Sequence, residues 1–421
     1  MILHQPEIVR SDEQTIVWSR IELAQRRADF PDYLWYSIPN RYTCYISLQS
    51  DAFLIPALLA AMSFGEDIQV RGPISPRLAY HLKEYQFILS SRFSKELHQV
   101  EIIYQLLEQS DAQPQAVGAS FSGGVDSLFT LWSHLPQNQP IPGFQISHVL
   151  FIHGFDIFNS NRSAYLQLFT RYQSVLLQIG VELVPLETNL VSAIIPRRNY
   201  AYFYSPILVG CAHFLAGLFK RFYIPSSWSY DQLQKRASCS SPLTDRLLSS
   251  DALDIIHHGA TRPRVEKIQE ICDWEFAHTY LRVCPHSGLG DSSEMSTNCS
   301  RCEKCLRTMI PIYALGRMEK FSTFTQPFRT DRDGLKWARK FSPYPGFVGE
   351  IIPFVKKHRP AMVPWLRAAK LLGYLRYWSL ALIPGFMKKR LRSFGYFIDP
   401  FDEKGANENP QILRIISEHK S

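Results

Sequence analysis

The sequence predicts an α/β fold built on a doubly wound parallel sheet with helices on both faces. Between Ala116 and Arg282, apolar runs of strand length alternate with helical stretches, and this alternation requires crossover connections between parallel strands. A glycine pair follows the first run, and a compact group of cysteines follows the last helical stretch. These observations predict four regions: an α+β region (1–114), the sheet domain (115–282), a four-cysteine knuckle (283–316) and a helical, basic region (317–421).

The composition is that of a packed globular protein. Of the 421 residues, 46% are hydrophobic and 20% are charged, which excludes disorder as a global description. No run approaches the roughly 18–20 apolar residues of a membrane span. The start, MILHQPEIVRSDEQ, contains acids and has no apolar core of a secretory signal. We therefore expect a cytoplasmic protein whose eight cysteines are thiols or metal ligands rather than disulfides.

Apolar runs rich in β-type residues predict the strands of the sheet domain, and amphipathic or apolar stretches predict its helices. The strands are expected at 116–121, 147–155, 181–187, 221–227 and 253–259, and the helices at 126–134, 162–179, 201–219 and 263–273. In the N-terminal region, 43–48 is a short apolar run, 51–64 has helical spacing and 66–78 predicts a strand closed by a Gly-Pro turn. Ligands of parallel sheets bind at the carboxyl ends of strands, so residues just after each strand are the site candidates.

The segment SGGVDS, directly after the first strand, has the features of a phosphate-binding loop. Gly123 and Gly124 allow backbone N–H groups to turn towards an oxyanion, and the following helix adds the positive end of its dipole. Ser122 and Ser127 supply hydroxyl donors, and Asp126 is placed to hold a divalent cation. The alternative is a tight turn in which Asp126 is only a helix cap. No Gly-Lys-Ser/Thr follows, so this is not a Walker A loop.

A second cluster consists of cysteines with metal-ligand spacing. The run C-x2-C-x2-C brings three sulfurs together at the entrance of a helix, and a fourth cysteine returns across a polar loop. Four thiolates suit a closed structural zinc site; an iron–sulfur cluster and unligated thiols are the alternatives. Nearby Arg301, Lys304 and Arg307 would offset the charge of such a centre. The proposed ligands are Cys284, Cys299, Cys302 and Cys305.

The remaining cysteines lack this spacing. We predict that Cys44, Cys211 and Cys272 are core residues, and the sequence leaves Cys239 open.

SGGVDS resembles the signature of the PP-loop ATP pyrophosphatases, which cleave ATP between its α and β phosphates and activate a substrate oxygen as an adenylate. The resemblance implies the adenine nucleotide alpha hydrolase-like fold, ATP and Mg²⁺ as cofactors, and catalytic roles for Asp126 and Ser127. It also implies that the loop holds the pyrophosphate end of ATP. The implied nucleotide-binding residues of the loop are Ser120, Phe121, Ser122, Gly123, Gly124, Val125, Asp126 and Ser127.

The order of the motifs resembles one branch of that superfamily, 7-cyano-7-deazaguanine synthase of queuosine biosynthesis. SGGVDS, then PRRN, then a terminal C…CxxCxxC followed by Arg occur in that order between about Ala116 and Gly316, roughly half of the chain. Those enzymes use ATP and ammonia to convert 7-carboxy-7-deazaguanine into a nitrile. The match to the family's Pro-x-Arg-Asn run implies a catalytic role for Arg198 and nucleotide contacts from Arg198 and Asn199; a solvated helix entrance is the alternative.

Two departures from that family concern the acceptor. Ser300 follows Cys299 where the family has glycine, and the family's Tyr-Pro-Asp-Cys-Arg segment has only loose counterparts here in Asp231, Arg236 and Cys239. The regions 1–114 and 317–421 are also foreign to compact members. We therefore expect the ATP chemistry to carry over, with an acceptor that differs from the free base, such as a nucleic acid or a protein.

Several polar residues beside strand ends have two interpretations each. His153 and Asp156 lie where the superfamily places groups near the nucleotide, or they serve local turn chemistry. His257 and His258 lie at the end of the fifth predicted strand. They are either acid–base groups of the site or structural histidines. Lys267 resembles a lysine that precedes the zinc knuckle in the family, or it lies on a solvated helix face.

The net charge of +8 is concentrated near the C-terminus. Residues 317–421 contain 20 Lys and Arg against 9 Asp and Glu, interleaved with Trp and Tyr. This mixture suits contacts with RNA or single-stranded DNA, an anionic membrane surface, or a helical cap whose cations face water.

The sequence as a whole predicts an AMP- and pyrophosphate-forming, ATP-dependent carbon–nitrogen ligase. It would adenylate a carboxylate or amide oxygen of a small or macromolecular acceptor and add nitrogen, using ATP, Mg²⁺ and a structural Zn²⁺. The alternatives are a tRNA- or protein-modifying PP-loop enzyme, including a defence-associated relative, and a non-catalytic ATP-binding module.

Overall fold

The computed structural model describes residues 1–27, 30–194, 200–284, 298–339, 345–381 and 409–420. Eleven strands in these residues form one sheet, in the order β11-β10-β7-β8-β9-β4-β3-β1-β5-β6, with β2 paired to β3. The strands are β1 (Ile2–Leu3), β2 (Glu7–Arg10), β3 (Gln14–Glu22), β4 (Tyr33–Pro39), β5 (Ile68–Val70), β6 (Ile102–Tyr104), β7 (Ala116–Ser120), β8 (His148–His153), β9 (Glu182–Thr188), β10 (Phe219–Pro225) and β11 (Asp254–His258).

The five strands from β7 to β11 are paired in parallel, so the prediction of an α/β protein with a large, mostly parallel sheet is confirmed. Their carboxyl ends lie along one edge of the sheet, and Pro225 at the end of β10 is opposite His258 at the end of β11. The loop that follows β7 therefore lies beside the segment that follows β10, because β7 and β10 are neighbours. This edge positions the candidate site.

Helices cover both faces of the sheet. Alternate residues of β8 enter two separate cores: Leu150 and Ile152 enter one, and Val149 and Phe151 enter the other. The helices are α1 (Asp51–Phe64), α2 (Pro76–Arg92), α3 (Val125–Ser133), α4 (Arg162–Gln178), α5 (Leu190–Ile194), α6 (Tyr200–Phe214), α7 (Tyr230–Gln234), α8 (Arg264–Ile271), α9 (Glu275–Tyr280), α10 (Glu303–Ala314), α11 (Pro345–His358), α12 (Val363–Ala381) and α13 (Pro410–Lys420).

On the first face, α1 of the N-terminal region packs closely against α6 of the sheet domain. A Cβ atom at Gly210 would lie 2.7 Å from the carbonyl oxygen of Ala52 and 2.9 Å from the Tyr36 hydroxyl. Only glycine permits this approach, and the Tyr36 hydroxyl donates to the same Ala52 carbonyl at 2.7 Å. The N-terminal region therefore shares its core with the sheet domain.

The N-terminal strands also extend the sheet. The hairpin of β3 and β4 was not expected from the sequence; β4 pairs antiparallel with β9 and joins the two groups of strands. The apolar run 43–48 forms no strand, since 3-10 helix occupies Asn40–Tyr45. The prediction that Cys44 is a core residue is wrong, because this short helix leaves the side chain exposed. Cys211 and Cys272 are buried as predicted, and so is Cys239.

The C-terminal region packs against both the sheet domain and the N-terminal strands. Helices α10, α11 and α12 contribute to the core on the second face, while α13 packs Ile412 and Ile416 against Trp18 and Trp35 of β3 and β4. Across the described parts of the chain, no helix has the length and apolarity needed to cross a membrane.

Candidate functional site

The SGGVDS loop connects β7 to α3 at the carboxyl edge of the sheet. Gly123 has φ +74°, and a Cβ atom there would lie 2.2 Å from the Tyr172 hydroxyl, so both conformation and space require glycine. Gly124 N–H donates to Ser122 Oγ at 3.3 Å, and Ser127 Oγ donates to the Gly124 carbonyl at 3.1 Å. These bonds fix a tight turn that directs the first residues of α3 towards the space beyond the strand.

Asp126, the acidic residue of this loop, binds two cations of α8. Its Oδ2 accepts from Arg264 Nη1 at 2.5 Å, and its Oδ1 accepts from Lys267 Nζ at 3.2 Å. Burial opposes ionisation of Asp126, but the charges of Arg264 and Lys267 outweigh it and hold the pKa of the carboxyl below its usual value. Asp126 is therefore an ionised carboxylate rather than only a helix cap.

Lys267 is one of the most buried side chains in the protein, with 1% of its surface exposed. The interpretation as a solvated helix face is therefore wrong. Its ammonium group also donates to the carbonyl of Ser226, the residue that follows β10. Burial lowers the pKa of Lys267, although the charge of Asp126 and a hydrogen bond to it oppose the change. The lysine thus links the loop after β7 with the segment after β10.

Two further arginines belong to the surroundings of the loop: Arg282 directly precedes the cysteine knuckle, and Arg307 lies within it. The backbone N–H of Arg282 donates to the Gly123 carbonyl at 2.8 Å, and its Nη1 lies 3.5 Å from the Ser122 carbonyl. Arg307 of α10 is also buried; desolvation, with the neighbouring charge of Arg264, lowers its pKa to about 10. We refer to Arg264, Lys267 and Arg307 as the cation cluster.

Helix α11 brings Glu350 against the cation cluster. Glu350 Oε2 accepts from the backbone N–H of Arg264 at 3.2 Å and from Gln232 Nε2 at 3.4 Å. Burial raises the pKa of Glu350 to about 7, although Arg264 and Arg307 both favour its ionised form. The buried side chains around Asp126 therefore carry more positive than negative charge, an arrangement suited to an anionic ligand.

Of the other predicted nucleotide-binding residues, two lie at the end of β8. His153 Nε2 lies 2.9 Å from the Phe158 carbonyl, the ring stacks on Tyr165 at 4.5 Å, and Nδ1 lies 3.5 Å from Glu187. Asp156 is exposed on the following turn. These contacts support the interpretation as local turn chemistry for His153. Arg198 and Asn199 lie outside the described residues, so their predicted roles stay predictions.

His257 and His258 have structural partners. His257 Nδ1 lies 2.7 Å from Asp245 Oδ2, and His258 Nδ1 lies 3.0 Å from Thr130 Oγ1. Burial lowers the pKa of His258 to about 3, so this ring is neutral near pH 7. These contacts account for both histidines as structural residues.

The four predicted metal ligands come together as one cluster. The ligand atoms of Cys284, Cys299, Cys302 and Cys305 all lie within 4.8 Å of one another. Two of the sulfur–sulfur distances, Cys299 to Cys305 and Cys284 to Cys302, are 3.9 Å. A tetrahedral zinc site with bonds of about 2.3 Å places its sulfurs roughly 3.8 Å apart. The cluster is therefore compatible with a zinc site.

The backbone conformation of Ser300 shows how serine replaces the glycine that the resembled family has directly after the first cysteine of the run. It has φ +58°, the only positive value for a non-glycine residue in the described chain, so the position after the first cysteine of the run favours glycine. Serine is accommodated because its Oγ donates to the Asn298 carbonyl at 3.3 Å and accepts from Gln326 N–H at 2.9 Å. The departure therefore keeps the turn that positions the sulfurs.

Two cavities lie away from the loop. One, of about 480 Å³, lies between α11 and α12 and is lined by Ile352, Arg367 and Tyr374 among others. The second, of about 260 Å³, is lined by His153, Tyr165 and Glu187 and by Gln14 and Arg41 of the N-terminal region. No residue of the SGGVDS loop lines either cavity.

Sequence reasoning missed Arg264, Arg282 and Glu350 as site residues and assigned Arg307 to the cysteine cluster. For Arg264 the signal was available, because Lys267 lies three positions later and residues at that spacing share a helix face. Glu350 gave no signal, since it reaches the site from a helix 86 positions further along the chain than Arg264.

Comparison with known proteins gives no match: no protein-family model matches the chain, and no curated protein or solved structure matches it significantly. The functional assignment therefore depends on the residues and geometry of the site.

Proposed function

We propose that this protein is an ATP-dependent ligase-type enzyme that cleaves ATP to AMP and pyrophosphate, similar in chemistry to 7-cyano-7-deazaguanine synthase. The observation that carries the proposal is the contact between the SGGVDS loop and two buried cations, Arg264 and Lys267, at the carboxyl edge of the sheet. One positive partner would be enough to neutralise the carboxylate of Asp126. The excess of buried positive charge here suits a ligand that is itself highly negative, such as a polyphosphate.

In the proposed reaction, a carboxylate or amide oxygen of the acceptor attacks the α-phosphorus of ATP. The new P–O bond forms as the bond to the β-phosphate oxygen breaks, and pyrophosphate leaves with the bonding electrons. Arg264 and Lys267 would stabilise the charge that develops on the leaving group. An amine or ammonia then attacks the activated carbon, loses a proton, and AMP departs. Catalysis would depend mainly on orientation and electrostatic stabilisation.

Mg²⁺ fits the site through Asp126, the hard oxygen donor beside the loop. In this structure both carboxylate oxygens accept hydrogen bonds from cations, so metal binding would release at least one of these contacts. The freed Arg264 or Lys267 would then be available to phosphate oxygens. Zn²⁺, by contrast, is proposed as a purely structural ion of the cysteine cluster.

Binding of MgATP to the variant Ser122→Ala tests the proposal. Ser122 Oγ is the loop hydroxyl that accepts from Gly124 N–H, and we expect its removal to weaken MgATP and pyrophosphate binding by about tenfold or more. Ser133→Ala is the matched control, because Ser133 lies at the far end of α3 and donates to the Phe129 carbonyl. Titration calorimetry measures both. Equal affinities of Ser122→Ala and the unmodified protein for MgATP would contradict the proposed site. A failure of the unmodified protein to bind MgATP would contradict it as well.

A further inference from the structure

Glu350 connects the C-terminal region to the proposed phosphate site. Its carboxylate accepts from the backbone N–H of Arg264, the first residue of α8, and so lies at the positive end of that helix. Its second partner, Gln232 of α7, is uncharged. The first bond holds α11 beside α8, the helix whose side chains bind Asp126, and the second holds it beside α7.

The charged groups that face Glu350 come from three helices. Arg264 and Lys267 of α8 and Arg307 of α10 are positive, and Asp126 of α3 is negative. Burial is the largest influence, and the pKa of Glu350 is raised to about 7. Asp126, whose pKa is lowered, stays ionised over the same pH range. Near neutral pH, Glu350 is therefore the acid of this group that changes its charge.

We propose that Glu350 is the titrating counter-charge of the cation cluster, so that an anion bound by Arg264 and Lys267 is taken up together with a proton on Glu350. This inference rests on the proposed phosphate site and adds its regulation by pH. A bound anion brings negative charge close to Glu350 and disfavours the ionised carboxylate. The proton comes from solvent and returns to it when the anion leaves.

Linkage fixes the direction of the pH effect. Below a pH of about 7 the carboxyl is protonated with or without the anion, so affinity does not depend on this group. Above it, the free protein has lost the proton while the complex retains it, so the affinity for an anion falls as pH rises. One linked proton limits the change to about tenfold per pH unit. Glu350 of α11 would thus weaken phosphate binding under alkaline conditions.

Sulfate is the probe for the experiment, because it stays fully ionised over this pH range and any linked proton must therefore be taken up by the protein. Its dissociation constant is measured by calorimetry from about pH 6 to about pH 8.5 for the unmodified protein, Glu350→Gln and Glu303→Gln. Glutamine keeps an oxygen that accepts from Arg264 N–H. Glu303 lies 3.6 Å from Arg307 of the cation cluster. Its variant therefore removes the same charge from a different acid that pairs with the cluster and leaves the contact of Glu350 with Arg264 intact.

We expect affinity to fall with pH above about 7 in the unmodified protein and in Glu303→Gln, and to lose most of this dependence in Glu350→Gln. Titrations near pH 7.5 in buffers of different ionisation enthalpy should show proton uptake by the unmodified protein. Zero uptake there, or an unchanged pH slope in Glu350→Gln, would overturn the inference. No sulfate binding by the unmodified protein would instead contradict the phosphate site itself, so the two failures are distinguishable.

Discussion

Asp126 forms ion pairs with two buried cations, and its contribution to stability follows from their burial. Arg264 and Lys267 are largely removed from water, and both contact the carboxylate. Breaking a buried charge pair by removing one partner leaves an uncompensated charge, which costs more than the pair itself contributes. In the ligand-free site Asp126 balances the two cations, and a bound anion would supply further negative charge to them.

Asp126→Asn is expected to lower the free energy of unfolding by about 3–5 kcal/mol at neutral pH. Pyrophosphate should restore part of the loss, because it supplies negative charge to the same cations. Urea unfolding with and without pyrophosphate measures both effects. Asp273→Asn is the matched control: Asp273 also pairs with two cations, Arg317 and Lys320, but is 63% exposed, so its loss should cost less than about 1 kcal/mol. Equal losses for the two variants would contradict the buried-pair account.

At the scale of elements, the cysteine cluster and α10 depend on each other. Cys302 is the N-cap of α10, and its sulfur accepts from the backbone N–H of Cys305 at 3.4 Å. The same helix carries Arg307 into the cation cluster. The cysteine cluster therefore lies at the start of the helix that carries Arg307 to the proposed phosphate site, although no cysteine contacts the loop itself in the contacts described above.

Cys302→Ser is expected to lower zinc affinity by more than about tenfold, since losing even an outer-shell partner of a metal ligand commonly costs about 10–100-fold. Zinc content after dialysis against a competing chelator measures this. Loss of α10 order should accompany the loss of metal and appear as reduced helical circular dichroism. Cys44→Ser, which changes an exposed cysteine outside the cluster, should retain full zinc. A stable Cys302→Ser protein with unchanged zinc content would refute the ligand assignment.

For the whole molecule, the sequence predicted the elements that are locally encoded. The parallel strands β7, β8 and β9 are largely buried on both faces and come from apolar runs. SGGVDS and the C-x2-C-x2-C spacing lie within short segments. The hairpin of β3 and β4 was missed although both strands are rich in β-branched and aromatic residues; only the pairing of β4 with β9, about 150 positions away, leaves no local pattern. The contact between Lys267 and Asp126, 141 positions apart, was inaccessible for the same reason.

This non-local assembly also changes the interpretation of the regions foreign to the resembled family. The N-terminal strands continue the sheet, and the C-terminal helices supply both Glu350 at the site and the apolar contacts of α13 with Trp18 and Trp35. The prediction of RNA contact by the basic region stays a prediction. Within that region, α12 exposes Leu371, Leu375 and Trp378 to solvent.

Product analysis of ATP turnover tests the central claim most directly. Purified protein is incubated with ATP, Mg²⁺, ammonium and 7-carboxy-7-deazaguanine, and the nucleotides are separated and quantified. The account predicts that ATP cleavage requires an acceptor and yields AMP and pyrophosphate in equal amounts, either with this acid or with RNA or protein acceptors in the same assay. ATP left intact with this acid would agree with the expectation that the acceptor differs from the free base, whereas ATP left intact with every one of these acceptors would contradict the ligase proposal. ADP and orthophosphate as the products would contradict cleavage between the α and β phosphates, and with it the proposed function.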